Sequence, residues 1–266
     1  MAGVWVWGTV KIVVCIPARY ASTRFPAKVL AKETGKYLIQ HTWEQARQAK
    51  SPERVIIAAD DERIVQAAHS FGAECVLTSP KHNSGTDRIA EVVGKMHADI
   101  VINVQGDEPE IDPEHIDYLS WLLRDSPDAS MATLATGFAR REQIADPNVV
   151  KVVVDAKARA VYFSRSPIPY DREHAGVGDV RHYLRHIGIY AYRRDFLLRI
   201  TALPQTPLEK LEKLEQLRAI ENGYTILVGK VEPTCEGIDT PEQYAAFVKR
   251  YLGHTKDGTS ARHGAH

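Results

Sequence analysis

Apolar residues in this chain gather in short runs separated by amphipathic stretches. Val10 to Ile16 (VKIVVCI) is a β-branched run, and Val55 to Ala59, Glu74 to Leu77 and Ile100 to Val104 follow in the same style. Runs of this composition read as strands buried on both faces of a parallel sheet. Between them the period becomes mainly helical, first over Tyr37 to Ala49 and then from Asp60-Asp61 to Phe71, where Gly72 is a stop signal. A third helix is expected near Arg88 to Met96. Strands alternating with helices predict right-handed βαβ units and a parallel sheet.

The rhythm changes after about Asp128. Ala129 to Thr136, Val149 to Val154, Ala160 to Phe163 and His186 to Tyr192 read as strands with short or irregular connections, which predicts an antiparallel extension on the main sheet. Ser164 to Arg185, rich in prolines and charges, is a long excursion toward a partner or over a site. A helix is predicted over Pro207 to Asn222, closed by Gly223, then a strand over Thr225 to Gly229. Asp239 or Thr240 caps a last helix with Pro241 at its first position, ending near Leu252. The expected organisation is one α/β domain over 10–252. Within it, 10–128 forms a nucleotide-binding part, 129–192 a sugar-binding and dimerisation part, and 193–252 closing helices and a metal loop. The polar tail 253–266 is expected to be disordered, and no role is assigned to its histidines.

Composition narrows the function classes. Lys+Arg and Asp+Glu are both 34, so the net charge is zero, which argues against bulk nucleic-acid binding. The 44% of hydrophobic residues in 266 allow a full core without a disulfide or metal staple. Cys15, Cys75 and Cys235 are far apart, and the first two read as small buried hydrophobes. The apolar opening MAGVWVWGTV is too short to span a bilayer and lacks the basic front of a signal peptide. A soluble, cytoplasmic protein with no membrane partner is expected.

Candidate chemistry begins where the first strand ends. Pro17 to Leu30 (PARYASTRFPAKVL) carries Arg19, Ser22, Arg24 and Lys28 at the carboxyl edge of the sheet, where ligands bind in open α/β folds. Cations, a hydroxyl and exposed N–H groups suit a polyanion. The spacing matches neither the dinucleotide fingerprint nor the P-loop. Gln105-Gly106-Asp107-Glu108-Pro109 puts a carboxylate at the same edge, with Gly106 permitting close backbone approach. Asp107 either caps the next helix or holds Mg²⁺ beside phosphates, and Asp239 offers a second carboxylate or another cap. Two carboxylates about 4 Å apart repel by roughly 4 kcal/mol at an effective dielectric near 20, so a bound cation would offset their meeting.

Asn83-Ser84-Gly85-Thr86-Asp87-Arg88 is a polar turn entering a helix. Ser84 or Thr86 caps it, and Arg88 is able to fork onto a phosphate, ribose or base carbonyl. Arg165, His186 and Tyr190 fall at strand ends, and the even spacing of the last two puts them on one side of a regular strand. Glu212, Glu215 and Gln216 border the apolar stripe of the Pro207 helix, as a solvated margin or as acceptors for sugar hydroxyls.

The segments PARYASTRFPAK, SGTDR, VNVQGDEP, NVVKVVVDA, YFSRSPIPYDR, LRHIGIYAYR, PLEKLEKLEQLR and GIDTPE, in this order, resemble the 3-deoxy-manno-octulosonate cytidylyltransferases (CMP-Kdo synthetases). The resemblance covers about Lys11 to Leu252. It implies a nucleotide-diphospho-sugar transferase-like α/β fold, with a mixed, mostly parallel sheet flanked by helices and a smaller antiparallel extension. It further implies a homodimer and a Mg²⁺ requirement. The implied activity is transfer of CMP from CTP to the sugar acid Kdo with release of pyrophosphate, for lipopolysaccharide synthesis. Matched motif by motif, it makes Arg19, Lys28, Asp107 and Asp239 catalytic. Arg19, Ser22 and Lys28 would bind the triphosphate, and Ser84, Gly85, Arg88 and Gln105 the nucleotide. Asp107 and Asp239 would be the metal ligands, and Gln105, Arg165, His186, Tyr190, Glu215 and Gln216 would line the sugar pocket. The family usually has glycine where this chain has Ala27, and leucine where it has Phe25. The competing readings are a cytidylyltransferase for another sugar acid (amino-Kdo or a nonulosonic acid), a glycosyltransferase, and a nucleotide-binding regulatory module. The glycosyltransferase would usually show D-x-D at Gly106-Asp107-Glu108.

Overall fold

The structure, a computed structural model, describes residues 10–22, 24–233 and 237–260, with side chains as far as 253. The opening nine residues, Cys235 and the last six residues of the tail lie outside the described residues.

Four parallel strands form one half of a nine-stranded sheet: β1 (Ile12–Ala18), β2 (Arg54–Ala59), β3 (Glu74–Leu77) and β4 (Ile100–Asn103), in the spatial order β3-β2-β1-β4. Alternate residues of β1 enter two cores. Val14 and Ile16 face one side of the sheet, Val13 and Cys15 the other, and β2 divides in the same way. Burial on both faces is what the unbroken apolar runs require. The helices α1 (Leu38–Ala46), α2 (Glu62–Ser70) and α3 (Gly85–Val93) occupy the expected connections.

α4 (Pro113–Arg124) was not among the predicted helices, although Ile116, Leu119 and Leu123 recur at helical spacing; Asp112 caps it and Pro113 opens it. After β5 (Met131–Gly137) come the short α5 (Arg141–Ala145), the hairpin strands β6 (Lys151–Val154) and β7 (Ala160–Ser164), and β8 (Leu184–Arg193). β8 inserts antiparallel between β4 and β5, so it belongs to the main sheet, and the antiparallel extension proper is the β6–β7 hairpin on its first residues. α6 (Arg194–Ala202), also not predicted, leads to the region 207–222.

There the predicted single helix is two: α7 (Pro207–Glu212) and α8 (Leu217–Glu221). The Arg165 Nε donates to the carbonyl of Glu212 at 2.7 Å, and the Glu212 carboxylate accepts from Ser164 Oγ at 2.6 Å and Arg165 N at 3.0 Å. The β7 terminus thus takes a carbonyl that a continuing helix would use. Lys213 turns left-handed with φ 54°. Arg218 spans the break, donating to both carboxylate oxygens of buried Glu209 at 2.8 and 2.6 Å. Leu211 is 81% exposed, whereas Leu214 and Leu217 are buried.

β9 (Ile226–Lys230) pairs parallel with β5. α9 (Pro241–Ser260) runs beyond the expected end at Leu252 and takes up part of the tail predicted to be disordered. No helix among the described residues is long and apolar enough to cross a membrane. Cys15 is fully buried and Cys75 half-buried; burial pushes both thiols up to about 12, so they act as apolar filler.

Candidate active site

Parallel strands end together, so the loops at their carboxyl ends share one edge. Here the loop after β1, the turn before α3, the segment after β4 and the loop before α9 enclose a cleft of two lobes, 770 and 760 Å³. The first lobe is walled by Arg19, Ser22, Lys28, Ser84 and Arg88, and the second by His186, Tyr190 and Gln216. Gln105, Asp107, Glu215, Asp239 and Gly85 belong to both, so the lobes meet along a common wall.

The β1 loop turns back at Ala27, which takes φ 53° and ψ 25° in the left-handed region that favours glycine. This turn starts a short 3-10 segment, Lys28–Leu30, and directs Lys28 inward. Its Nζ bonds to Asp107 Oδ2 at 2.7 Å, Asp239 Oδ1 at 3.1 Å and the carbonyl of Ile238 at 2.6 Å. Arg24 adds a bond to Asp239 Oδ1 at 3.0 Å. Neither aspartate is a helix cap. Asp112 caps α4, and Thr240 Oγ1 accepts from Gln243 N at the start of α9. Both carboxylates are therefore available for cleft chemistry. Gly106 makes the close approach possible, since a Cβ there would lie 2.9 Å from the Pro17 carbonyl and 3.0 Å from Ile39.

Ser84 caps α3 in a reciprocal capping box with Asp87. Gly85 lies against Pro17, and the first turn of α3 borders the cleft. Arg88 lines the first lobe, but its guanidinium is buried and engaged: it donates to Thr78 Oγ1 at 2.9 Å, the Ser79 carbonyl at 3.4 Å and Asp60 Oδ2 at 3.3 Å. Asp60 in turn accepts from Tyr20 N at 2.8 Å, so Arg88 braces the β1 loop. Arg19 is exposed at the mouth of this lobe.

The second lobe follows from the direction of β8. β4 ends at Asn103 opposite Tyr190, and the earlier residues of β8 continue past that end alongside β5. His186 and Tyr190 share one side, their rings 5.5 Å apart. His186 hydrogen-bonds to Thr133 Oγ1 at 3.0 Å, and burial lowers its pKa to about 3, so it is a neutral ring. Burial pushes the Tyr190 hydroxyl upward, and the Glu215 carboxylate adds to this. Glu215 and Gln216 reach the cleft from the break between α7 and α8. Burial raises Glu215, and hydrogen bonds from Thr86 and Ser84 oppose that. The Gln216 side-chain nitrogen is buried and lacks a hydrogen-bond partner among the described residues. A buried donor left open in a cleft is a place for a ligand oxygen.

Arg165 departs from the expectation that it lines the sugar pocket. It walls neither lobe, and its guanidinium is spent on the carbonyls of Glu212 and Pro147, the latter at 2.9 Å. Glu108, Asn103 and Lys213 do line the cleft but were not singled out by the sequence. Glu108 had a visible signal, its place beside Asp107 at a strand end. Burial raises it to about 7, with Asp107 and Asp239 adding and Arg185 opposing. Lys213 had none, because it sits inside an uninterrupted helical pattern.

The donor set fits a magnesium ion. Two aspartates already share one cation, and the second oxygen of each carboxylate makes no hydrogen bond or ion pair among the described residues. Magnesium commonly takes one or two protein carboxylates, with water and phosphate filling the rest. No cluster of three or more metal-binding side chains occurs among the described residues.

The family described as Cytidylyltransferase matches residues 13–226. The chain belongs to the cytidylyltransferase family. It is 50% identical over 232 residues to a 3-deoxy-manno-octulosonate cytidylyltransferase of Solibacter usitatus (strain Ellin6076), covering 87% of this chain and 91% of the relative. The enzyme of the same description from Rhodopirellula baltica is 48% identical over 248 residues, covering 90% and 98%. A solved CMP:2-keto-3-deoxy-manno-octonic acid synthetase complexed with CTP matches with a TM-score of 0.85 at 43% identity, over 93% of this chain and 99% of that one. A 4-diphosphocytidyl-2C-methyl-D-erythritol synthase from Anaerococcus prevotii, 12% identical, shares the fold with a TM-score of 0.61 over 92% of this chain and all of the other. The cytidylyltransferase fold thus carries the cleft, and its mostly parallel sheet has the expected architecture.

Proposed function

We propose that this cytidylyltransferase transfers CMP from CTP to 3-deoxy-manno-octulosonate (Kdo), giving CMP-Kdo and pyrophosphate for lipopolysaccharide synthesis. The observation that carries this reading is the wall common to the two lobes, where Lys28, Asp107 and Asp239 meet. A triphosphate in the first lobe and a sugar acid in the second would present their reacting atoms to one another across it.

The anomeric C2 hydroxyl of Kdo, giving up its proton to water, attacks the α-phosphorus in line. The new C2–O–P linkage forms as the bond to the β-phosphate oxygen breaks, and pyrophosphate leaves with both electrons of that bond. Arg19, Ser22 and Lys28 bind the triphosphate, and the cations among them neutralise charge on the departing group. The first turn of α3, from Ser84 and Gly85, and Gln105 hold the nucleotide. Arg88 keeps the β1 loop in place for it. Tyr190, neutral His186, Glu215 and the open donor of Gln216 orient the sugar hydroxyls. Asp107 and Asp239 would hold Mg²⁺, whose charge would polarise the α-phosphate and favour the ionised hydroxyl.

A cytoplasmic location and a homodimer complete the proposal. The dimer contacts would lie in 129–192, and exposed Val161 and Tyr170 in that region support this. The test is pyrophosphate release from CTP and Mg²⁺ with a panel of sugar acids. Fastest release with Kdo supports the reading; preference for an amino-Kdo or a nonulosonic acid moves it to that acceptor, and CTP binding without release rejects catalysis. Asp107→Ala should abolish turnover in a folded protein, and near-normal activity would remove that residue from the metal site.

A further inference from the structure

We infer that Lys213 binds the carboxylate of the acceptor sugar acid at the junction of the two lobes. The inference rests on the proposed reaction and deepens it. Lys213 lines both lobes and comes directly after the last residue of α7 in a left-handed conformation, φ 54°, that lysine rarely adopts. Among the described residues its ammonium makes no hydrogen bond or ion pair.

The charges of the acceptor lobe leave this group for a ligand. Five carboxylates line it: Asp107, Glu108, Asp146, Glu215 and Asp239. Three cations face them. Arg24 is bonded to Asp239, and Arg185 opposes the charge of Glu108. The third is Lys213. An acidic acceptor entering this lobe needs a counter-charge that the protein has not already committed. Arg165 does not supply it, because its guanidinium lies on the Glu212 and Pro147 carbonyls.

Chemistry fixes where that counter-charge must stand. In the cyclic form of a 2-keto sugar acid, the carboxylate and the attacking hydroxyl share one carbon. The carboxylate is therefore at the boundary with the nucleotide lobe, not deep in the sugar lobe. Lys213 spans that boundary. The nucleotide lobe has exposed Arg19 at its mouth and Lys28 at its base, so the triphosphate does not depend on it.

The test compares steady-state kinetics of the full chain with Lys213→Gly, Lys213→Met and Lys213→Arg, following pyrophosphate with CTP, Mg²⁺ and Kdo. Glycine suits the left-handed position, so that variant removes the charge without adding strain. The Gly and Met variants are expected to raise KM for Kdo about tenfold, leave KM for CTP within about twofold, and the Arg variant to restore most of the loss. An unchanged KM for Kdo in Lys213→Gly, or a rise in KM for CTP instead, overturns the inference while an active parent protein leaves the proposed reaction standing. A parent protein that releases no pyrophosphate with any sugar acid overturns both.

Discussion

The ammonium of Lys28 lies 2.7 Å from a carboxylate oxygen of Asp107, and the same nitrogen reaches Asp239 at 3.1 Å. One cation thus joins three segments that are remote in sequence. The contact offsets the repulsion of two carboxylates that the nearby strand and loop ends bring together.

Removing that cation should have two separable effects. Lys28→Met is expected to lower kcat by about 10²–10³-fold through lost stabilisation of the leaving group. Without divalent metal it should also destabilise the fold by about 1–3 kcal/mol, because Asp107 is then left without a cation beside Asp239, which keeps only the exposed Arg24. Melting curves with EDTA and with excess Mg²⁺ check this: the stability deficit should shrink in Mg²⁺ while the rate deficit persists.

Ala27 holds a left-handed turn without the freedom of glycine. Ala27→Gly relieves strain in the folded state but also loosens the unfolded chain. Strain relief of about 1–2 kcal/mol exceeds that entropic loss, so a net gain of about 0.5–1 kcal/mol is expected. Activity should remain. Urea denaturation measures the change, and a destabilised variant would contradict this account of the turn.

Glu108 links stability to pH. Its pKa is raised to about 7, first by burial and then by Asp107 and Asp239. In the folded state it therefore binds its proton more tightly than in the unfolded chain. Its contribution is fully present below the ordinary glutamate range and is lost as pH rises toward and through 7. Metal-free protein should lose about 1–3 kcal/mol over that interval from this group. Glu108→Gln should flatten that part of the stability profile; an unaltered slope would rule Glu108 out as its source.

The buried pair across the helix break has the opposite sign. Burial raises Glu209, but the hydrogen bonds and charge of Arg218 outweigh it and the pKa falls. The stabilisation is present above the ordinary glutamate range and disappears as pH drops through the lowered folded value. Glu209→Ala leaves Arg218 buried without its main partner and should destabilise by about 3–5 kcal/mol. Glu215 and Gln216 sit in the turn that this pair spans, so KM for the acceptor should rise as well. Thermal unfolding and steady-state kinetics together check the prediction.

Much of the cleft was legible along the chain because it depends on local rules. A β-branched run buried on both faces must be a strand, and the loop at its carboxyl end lies at the sheet edge. That logic located the β1 loop, the Ser84–Gly85 helix start and the Gln105–Pro109 segment before any contact was known. Sequence also left real choices open at Asp107 and Asp239, each a cap or a cleft carboxylate. The structure resolved these by giving the caps to Asp112 and Thr240.

The helices α4 and α6 differ in how well they could be read. In α4, Ile116, Leu119 and Leu123 recur at helical spacing behind Asp112 and Pro113, so its signal was present in the chain, whereas α6 follows β8 directly at Arg194 and buries only Phe196, Leu197 and Ile200, too short a stripe to stand out. The break at Lys213 was less legible still. Its local sequence is a good helix, and the competing force is Arg165, 47 positions before Glu212, taking the carbonyl of that last residue of α7. Helix propensity is worth only tenths of a kcal/mol per residue, so one tertiary hydrogen-bond set overrides it.

By itself, then, the sequence determined the strands, the edge on which they open and the polar loops gathered there, because hydrophobic period and turn chemistry act between near neighbours. Only the tertiary structure decided that β8 would run antiparallel between β4 and β5, that Arg165 would serve the helix break, and that Lys213 would face both lobes. Those outcomes depend on distances and charges between residues the chain holds far apart, and no local pattern encodes them.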